Sequence, residues 1–326
     1  MSTERGEGAG LLQSFTELAS GFAKKELVAH REAHDRDPFA PSWTDAVAKA
    51  FEVGFFTITL PAAHGGLGLG TDSLVPVLRE LSRADASLAA LVFTHATALE
   101  ITAEAARDAG ADAVYRACAA APGKPLAIQC FAHPDETAYP SVATDGYEHR
   151  LTGKADFLSA GPLADYAVVA GAGERTDAFS YYLVALNDGG VRMGEPVLTL
   201  GLRACPVADV ELDGARGVLI GSPRRGREYC RRAWPRLALA SAAISLGILE
   251  GSLAEARSYA DERVQGGRLI ADWPEVRMIL ARMASRAQVV QGALAQACRM
   301  FASHDPGWEA ASVSSALEAG EAASRA

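Results

Sequence analysis

A change of hydrophobic period, made twice along the chain, most constrains its fold. From about Leu11 to Ala121 apolar residues recur at three-to-four spacing, in "LLQSFTELASGFAKKELVAH", "SWTDAVAKAFEVGFF" and "SLVPVLRELSRADASLAALVFTHATALEIT". That is the period of an amphipathic helix. From about Pro125 to Val218 the pattern shortens. "YEHRLTGKADFLSAG", "YAVVAGAG", "FSYYLVALN" and "ADVELDG" are β-branched or aromatic runs bounded by Gly, Asp and Asn, which reads as strands. From Tyr229 onward the helical period returns in two long runs and a last piece from about Trp308. Ser42 is expected to cap the helix that follows it, and Asp272 to cap the helix with Pro274 in its first turn. Helices, strands and helices again predict an α+β chain in three parts. They are an N-terminal helical domain over residues 1–124, a middle antiparallel β-domain over 125–222 and a C-terminal helical domain over 223–326.

Composition removes several function classes. The 326 residues are 49% apolar and 22% charged, the balance of a soluble globular protein with ample core. A net charge of -9 argues against a nucleic-acid surface, because phosphate binding needs clustered Lys and Arg. The start, "MSTERGEGAG", has neither the basic nor the apolar region of a secretory signal. The longest apolar run, "LALASAAISLGIL", falls short of the about 20 residues a membrane span needs. The five cysteines show no ligand-like or paired spacing and read as reduced thiols, so a cytoplasmic protein without disulfides or zinc is expected.

Three stretches invite chemistry. "LPAAHGGLGLG" resembles a phosphate loop only in its glycines; it lacks the Lys-Ser/Thr or acidic partner and reads as a turn between helices. "IQCFAHPDETAY" gathers His133, Asp135 and Glu136, but neighbours flanking a proline rarely converge on one ion, so a solvated turn is the simpler reading. Arg224, Arg225, Arg227, Arg231 and Arg232 form a local basic patch, suited either to an anionic ligand or to a charged linker.

Several segments taken in order resemble the acyl-CoA dehydrogenase family. "GFFTITLPAAHGGLGLGTDSLVPVLRELSRADASLA" carries a Pro-x-x-x-Gly-Gly-x-Gly turn followed by Glu-Leu-x-x-x-Asp-x-Ser. "DGYEHRLTGKADFLSAGPLADYAVVAGAG", "GVRMGEPVLTLGLRACPVADVELDGARGV" and "RSYADERVQGGRLIADWPEVRMILARMA" resemble later family segments, so the resemblance covers nearly the whole chain. It implies FAD in a cleft between the β-domain and the C-terminal helices. It also implies α,β-dehydrogenation of an acyl-CoA thioester, with a carboxylate removing the α-proton while the β-hydrogen leaves as hydride. Such a site needs a positioned base, donors for the developing enolate oxygen and contacts that tune the flavin.

The resemblance also assigns residues. Phe157 stands where the family has Trp against the flavin, and Ser159 where it has a Thr. "IQCFAHPDETAY" occupies the place of the Thr-Glu-Pro-x-x-Gly-Ser-Asp flavin and CoA loop. Pro134 is kept there, and backbone contacts to the flavin are expected from Phe131 and Ala132, while the Thr and Ser hydroxyls are absent. Arg236 matches an arginine near the acyl-CoA site, but Pro235 fills a position that serves some members as base. Arg263 and Gln265 match residues that reach a neighbouring subunit's FAD. The plainer role for Arg263 is a salt bridge with Asp261 or Glu262, and Gly266 replaces the usual Phe. Thr94 and His95 lie on the helix that lines the family's substrate pocket, where core or interface packing is an equal alternative. Glu250 and Glu255 share a helix with Arg236 and read as structural carboxylates. Family members continue past the equivalent of Ala326 into a Gln-x-x-Gly-Gly flavin segment and, commonly, the catalytic Glu, so no base is assigned and no metal is expected.

The expected function is therefore a FAD-dependent acyl-CoA dehydrogenase-like oxidoreductase in a homo- or hetero-oligomer with a similar subunit. The electron acceptor is left open by the sequence, with electron-transfer flavoprotein one candidate, and neither nucleic acid nor membrane is expected as a partner. The alternatives are a scaffolding or binding subunit with a decayed flavin site, and a cofactor-independent thioester enzyme using His133.

Overall fold

The structure, a computed structural model, describes residues 2–35, 40–129, 139–173 and 178–325. Six helices come first: α1 (Ser2–Phe22), α2 (Arg31–His34), α3 (Pro41–Val53), α4 (Leu74–Ala84), α5 (Ala86–Ala106) and α6 (Asp112–Ala120). Strands β1 (Leu126–Gln129), β2 (Ser141–Asp145), β3 (Glu148–Ser159), β4 (Tyr166–Ala172), β5 (Phe179–Ala185), β6 (Val191–Pro196) and β7 (Val207–Ile220) follow. The chain then forms α7 (Gly226–Glu262), the short strands β8 (Val264–Gln265) and β9 (Arg268–Leu269), α8 (Pro274–Ala302) and α9 (Trp308–Ser324).

Two compact units emerge, and they cut across the three parts expected from the sequence. One comprises Met1–Arg31, Thr71–Ala89 and Pro235–Ala326; the other comprises Glu32–Gly70 and Ala90–Trp234. The first is helical. α4 buries Leu74, Val77, Leu78 and Leu81 at helical spacing, and Arg79 grips Glu250 of α7 through two hydrogen bonds of 3.0 and 2.5 Å. α8 buries Met283, Ala287, Val290, Leu294 and Ala297, alternating steps of four and three that keep one stripe facing inward. Met278, Ile279 and Val289 on α8 and Leu317 on α9 are exposed.

The second unit holds the sheet. Its pairings run β3–β7–β5–β4–β1 and return to β3, so the sheet closes on itself, with β2 bridging β3 and β4 and β6 lying on β7. Leu151, Leu158, Val184, Val210 and Leu212 fill its interior. The expected all-antiparallel pattern is broken: β1 and β2 each pair with β4 in parallel. The reason is connection length, since a parallel neighbour needs an intervening crossover, and the β2–β3 excursion supplies one between β1 and β4.

Both expected caps are corrected. α3 starts at Pro41 after Ala40, with no side-chain cap, and Ser42 instead lies 3.2 Å from Nε2 of the buried His34. α8 starts at Pro274 after Trp273, and the Asp272 carboxylate accepts from Arg277 at 3.1 Å. In both cases a proline at the first helical position sets the start. Asp85 does act as a cap, accepting from the N–H of Ser87 at 2.8 Å at the head of α5. Two helices, α5 and α7, prove long and apolar enough by length and composition to cross a membrane, which the longest apolar run had not suggested. Of those stretches 72% and 56% respectively is buried inside the protein, as in core helices.

Candidate functional site

The most unusual backbone in the sheet lies on β3. Ala155 pairs with Val210 and Leu158 with Ala208, so Asp156 and Phe157 together face the single residue Asp209. This is a β-bulge, which bends a strand and re-aims the side chain it carries. Phe157 has φ 52, in the left-handed region a bulky residue rarely enters. Leu158 is fully buried in the sheet interior, whereas Phe157 is 58% exposed. Ser159 follows, half-buried and level with Ile128 on one side and Val207 on the other. Ala160, at φ 60, then ends the strand.

Two residues the sequence reading passed over hold this geometry. The Phe157 N–H donates to Asp209 Oδ1 at 3.0 Å, and Lys154 Nζ lies 2.7 Å from both Asp209 Oδ2 and Asp156 Oδ1. Lys154 holds the Asp209 carboxyl below its usual range, with the Phe157 N–H adding to the effect. The two carboxylates raise the Lys154 ammonium in turn. Nothing local in "ADVELDG" marks Asp209, because its importance depends on which strand lies opposite.

The other assigned residues fall in different settings. Phe131 and Ala132, with His133, Pro134, Asp135 and Glu136, lie outside the described residues. Thr94 is buried, with its hydroxyl 3.9 Å from the sulfur of Cys205. His95 is buried and uses both ring nitrogens: Nδ1 accepts from the N–H of Leu126 at 2.9 Å, and the other nitrogen donates to the carbonyl of Phe56. Phe56 and Phe51 pack edge-on against the ring, and burial lowers its pKa to about 4, so it is a neutral imidazole with no hydrogen bond left for a ligand. It borders a cavity of about 260 Å³ that Phe51, Leu60, His64, Cys118 and Lys124 also line.

In the helical unit, Arg263 precedes and Gln265 ends the first strand of a hairpin whose two-residue turn is Gly266 and Gly267, with φ 68 and 83. Positive φ at both central residues is the hairpin geometry that glycine serves best. A side chain at Gly266 would also start 2.9 Å from the Trp273 ring, which explains the loss of an aromatic there. Trp273 donates to the carbonyl of Gln265 at 3.3 Å and carries the Arg268 guanidinium 3.7 Å over its ring. The side chains of Arg263 and Gln265 are exposed on this braced hairpin. Arg236 is half-buried on α7. Glu250 is gripped by Arg79, and Glu255 lies 2.8 Å from Arg31, so both of these carboxylates have an arginine partner.

The basic patch is partly neutralised by its own surroundings. Arg225 pairs with Asp108 at 3.0 Å and with Glu228, and Arg232 pairs with Glu228. Tyr229, fully buried, donates to Asp108 at 2.8 Å, so this segment straps the entry of α7 to the end of α5. Arg224, Arg227 and Arg231 are exposed. Among the described residues no group of three or more His, Cys, Asp or Glu is placed to hold a metal ion.

Comparison with known proteins fits this arrangement. Residues 12–115 match the acyl-CoA dehydrogenase N-terminal domain and residues 224–325 the acyl-CoA dehydrogenase C-terminal domain. The caffeyl-CoA reductase-Etf complex subunit CarC of Acetobacterium woodii is 26% identical over 287 residues, 84% of this chain and 75% of that protein. The L-prolyl-[peptidyl-carrier protein] dehydrogenase of Pseudomonas fluorescens is 27% identical over 304 residues, 87% of this chain and 77% of that protein. In fold, butyryl-CoA dehydrogenase from Megasphaera elsdenii superposes with a TM-score of 0.82 at 17% identity, covering 96% of this chain and 84% of that one. The two family domains, which precede and follow the sheet strands in the sequence, make this chain a member of the acyl-CoA dehydrogenase family of oxidoreductases.

Proposed function

We propose that this chain is a FAD-dependent oxidoreductase that introduces or removes an α,β double bond in an acyl thioester, as one subunit of an oligomer. The carrying observation is the bulge on β3, which keeps Phe157 exposed at a strained φ beside a half-buried hydroxyl at Ser159. Backbone strain retained at an exposed aromatic is a mark of a ligand-facing position. The residues fit a flavin: Phe157 offers a ring face and Ser159 a hydrogen bond to its polar edge. Arg263 and Gln265, a cation and an amide on a braced hairpin, would serve a neighbouring subunit's FAD. Arg suits a pyrophosphate because its planar donors match phosphate oxygens in pairs.

When bound, the flavin would supply the hydride chemistry. The chain's own part is to hold and orient. Phe157 covers one face of the ring site, and the buried face of β3 beneath it keeps that wall rigid. Glu250 and Glu255 serve α7 through their arginines, which leaves the proton-accepting carboxylate unassigned among the described residues. The exposed apolar side chains on α8 and α9 support association with a similar subunit. One relative is named as a subunit of an Etf complex, which supports an electron-transfer flavoprotein partner.

The test is the visible spectrum of the protein, purified alone and with a co-expressed family subunit. A flavin spectrum that bleaches with a saturated acyl thioester is expected. Because the two relatives are named for different carriers, CoA and peptidyl-carrier protein, both belong in the substrate panel. No flavin in either preparation overturns the reading. A second reading, a scaffolding subunit with a decayed flavin site, is favoured by Gly266 and Pro235. It predicts that Ser159→Ala changes nothing measurable in the assembled complex.

A further inference from the structure

We infer that Asp209 is a positioning residue for the flavin wall: its carboxylate, steadied by Lys154, holds the Phe157 backbone in the turn that presents the aromatic ring and Ser159. The inference rests on the FAD reading above. At the bulge two residues of β3 oppose one of β7, so a ladder hydrogen bond is lost. The side chain of Asp209 replaces it, accepting from the Phe157 N–H at 3.0 Å through Oδ1. Its other oxygen is occupied by Lys154 at 2.7 Å, and Lys154 is anchored a second time by Asp156 at 2.7 Å. The result is a closed set of contacts, Asp156–Lys154–Asp209–Phe157, in which each fixes the next. An exposed ion pair of this kind adds little to global stability, so its effect is local. What it controls is the one backbone conformation in β3 that the sequence itself resists, since Phe157 sits at φ 52.

The test uses Asp209→Ala, which removes the acceptor, and Asp209→Asn, which keeps an oxygen for the Phe157 N–H. Two readouts apply: hydrogen exchange of the Phe157 amide in the flavin-free protein, and the dissociation constant for FAD. A hydrogen bond to a charged acceptor implies about tenfold faster exchange and about tenfold weaker FAD binding in Asp209→Ala. Asp209→Asn should recover most of both. Unchanged exchange in Asp209→Ala, or equal losses in the two variants, overturns the inference. The failure of the FAD reading is distinguishable, as wild-type protein that binds no flavin, and the exchange rates then still decide whether Asp209 holds the bulge.

Discussion

Strand β3 leaves register with β7 at two places, and the two are built differently. At the first, Leu151 pairs with Ala215 and Gly153 with Leu212, so Thr152 faces Asp213 and Gly214. Positive φ there falls on glycines, 130 at Gly153 and 65 at Gly214, and the Thr152 hydroxyl accepts from the Gly214 N–H at 3.1 Å. At the second, positive φ falls on Phe157, and a charged acceptor from across the sheet closes the gap. A non-glycine residue in the left-handed region costs about 1–2 kcal/mol. The first irregularity avoids that cost because only backbone shape is needed. The second accepts it to place a particular side chain, and since Phe157 is 58% exposed, burial offsets little of it.

That contrast can be broken in three ways. The largest effect is expected from Gly153→Val. A β-branched residue does not reach φ 130, and its Cβ would lie 3.2 Å from Pro140 Cα, so urea denaturation should show a loss of about 3 kcal/mol. Next comes a comparison of Phe157→Gly with Phe157→Ala. At an ordinary strand position alanine is the more stable of the two; here glycine should win by about 1 kcal/mol, while both bind FAD more weakly than wild type. A more stable alanine variant would mean the φ at this position carries no strain. The smallest effect concerns pH. Because the Asp209 pKa is lowered in the folded state, its stabilising contribution is complete above the ordinary carboxylate range and fades as pH falls through the folded value. The stability gap between wild type and Asp209→Asn should therefore be present at neutral pH and close in acid, which paired denaturation curves at several pH values would check.

The alternation of periods made the order of helices, strands and helices readable, because each period depends on neighbours along the chain. What failed depends on partners far away. The bulge at Phe157 is defined by its register against Val210 and Ala208, and "GKADFLSAG" alone gives no hint of a positive φ. The same holds for the parallel seat of β1 beside β4. Ser42 and Asp272 failed as caps because Pro41 and Pro274 set the helix starts, and their side chains meet His34 and Arg277 instead. Phe157 and Ser159 were named only through a family resemblance; strand periodicity by itself would have left an inward Phe and a turn Ser. His95 is the converse case, a residue type that suggested a ligand contact and proves to be fully committed within the fold.

The placement of His95 makes the folded state sensitive to mild acid. With a folded pKa of about 4 against an ordinary value near 6.5, the imidazole stays neutral while folded and gains a proton on unfolding anywhere between those limits. Mild acid therefore favours unfolding here, progressively as pH falls below about 6.5 toward the folded value. His95→Gln can accept from Leu126 and donate to Phe56 without titrating, so its urea midpoint should hold steady from pH 7 to pH 5 while that of wild type falls.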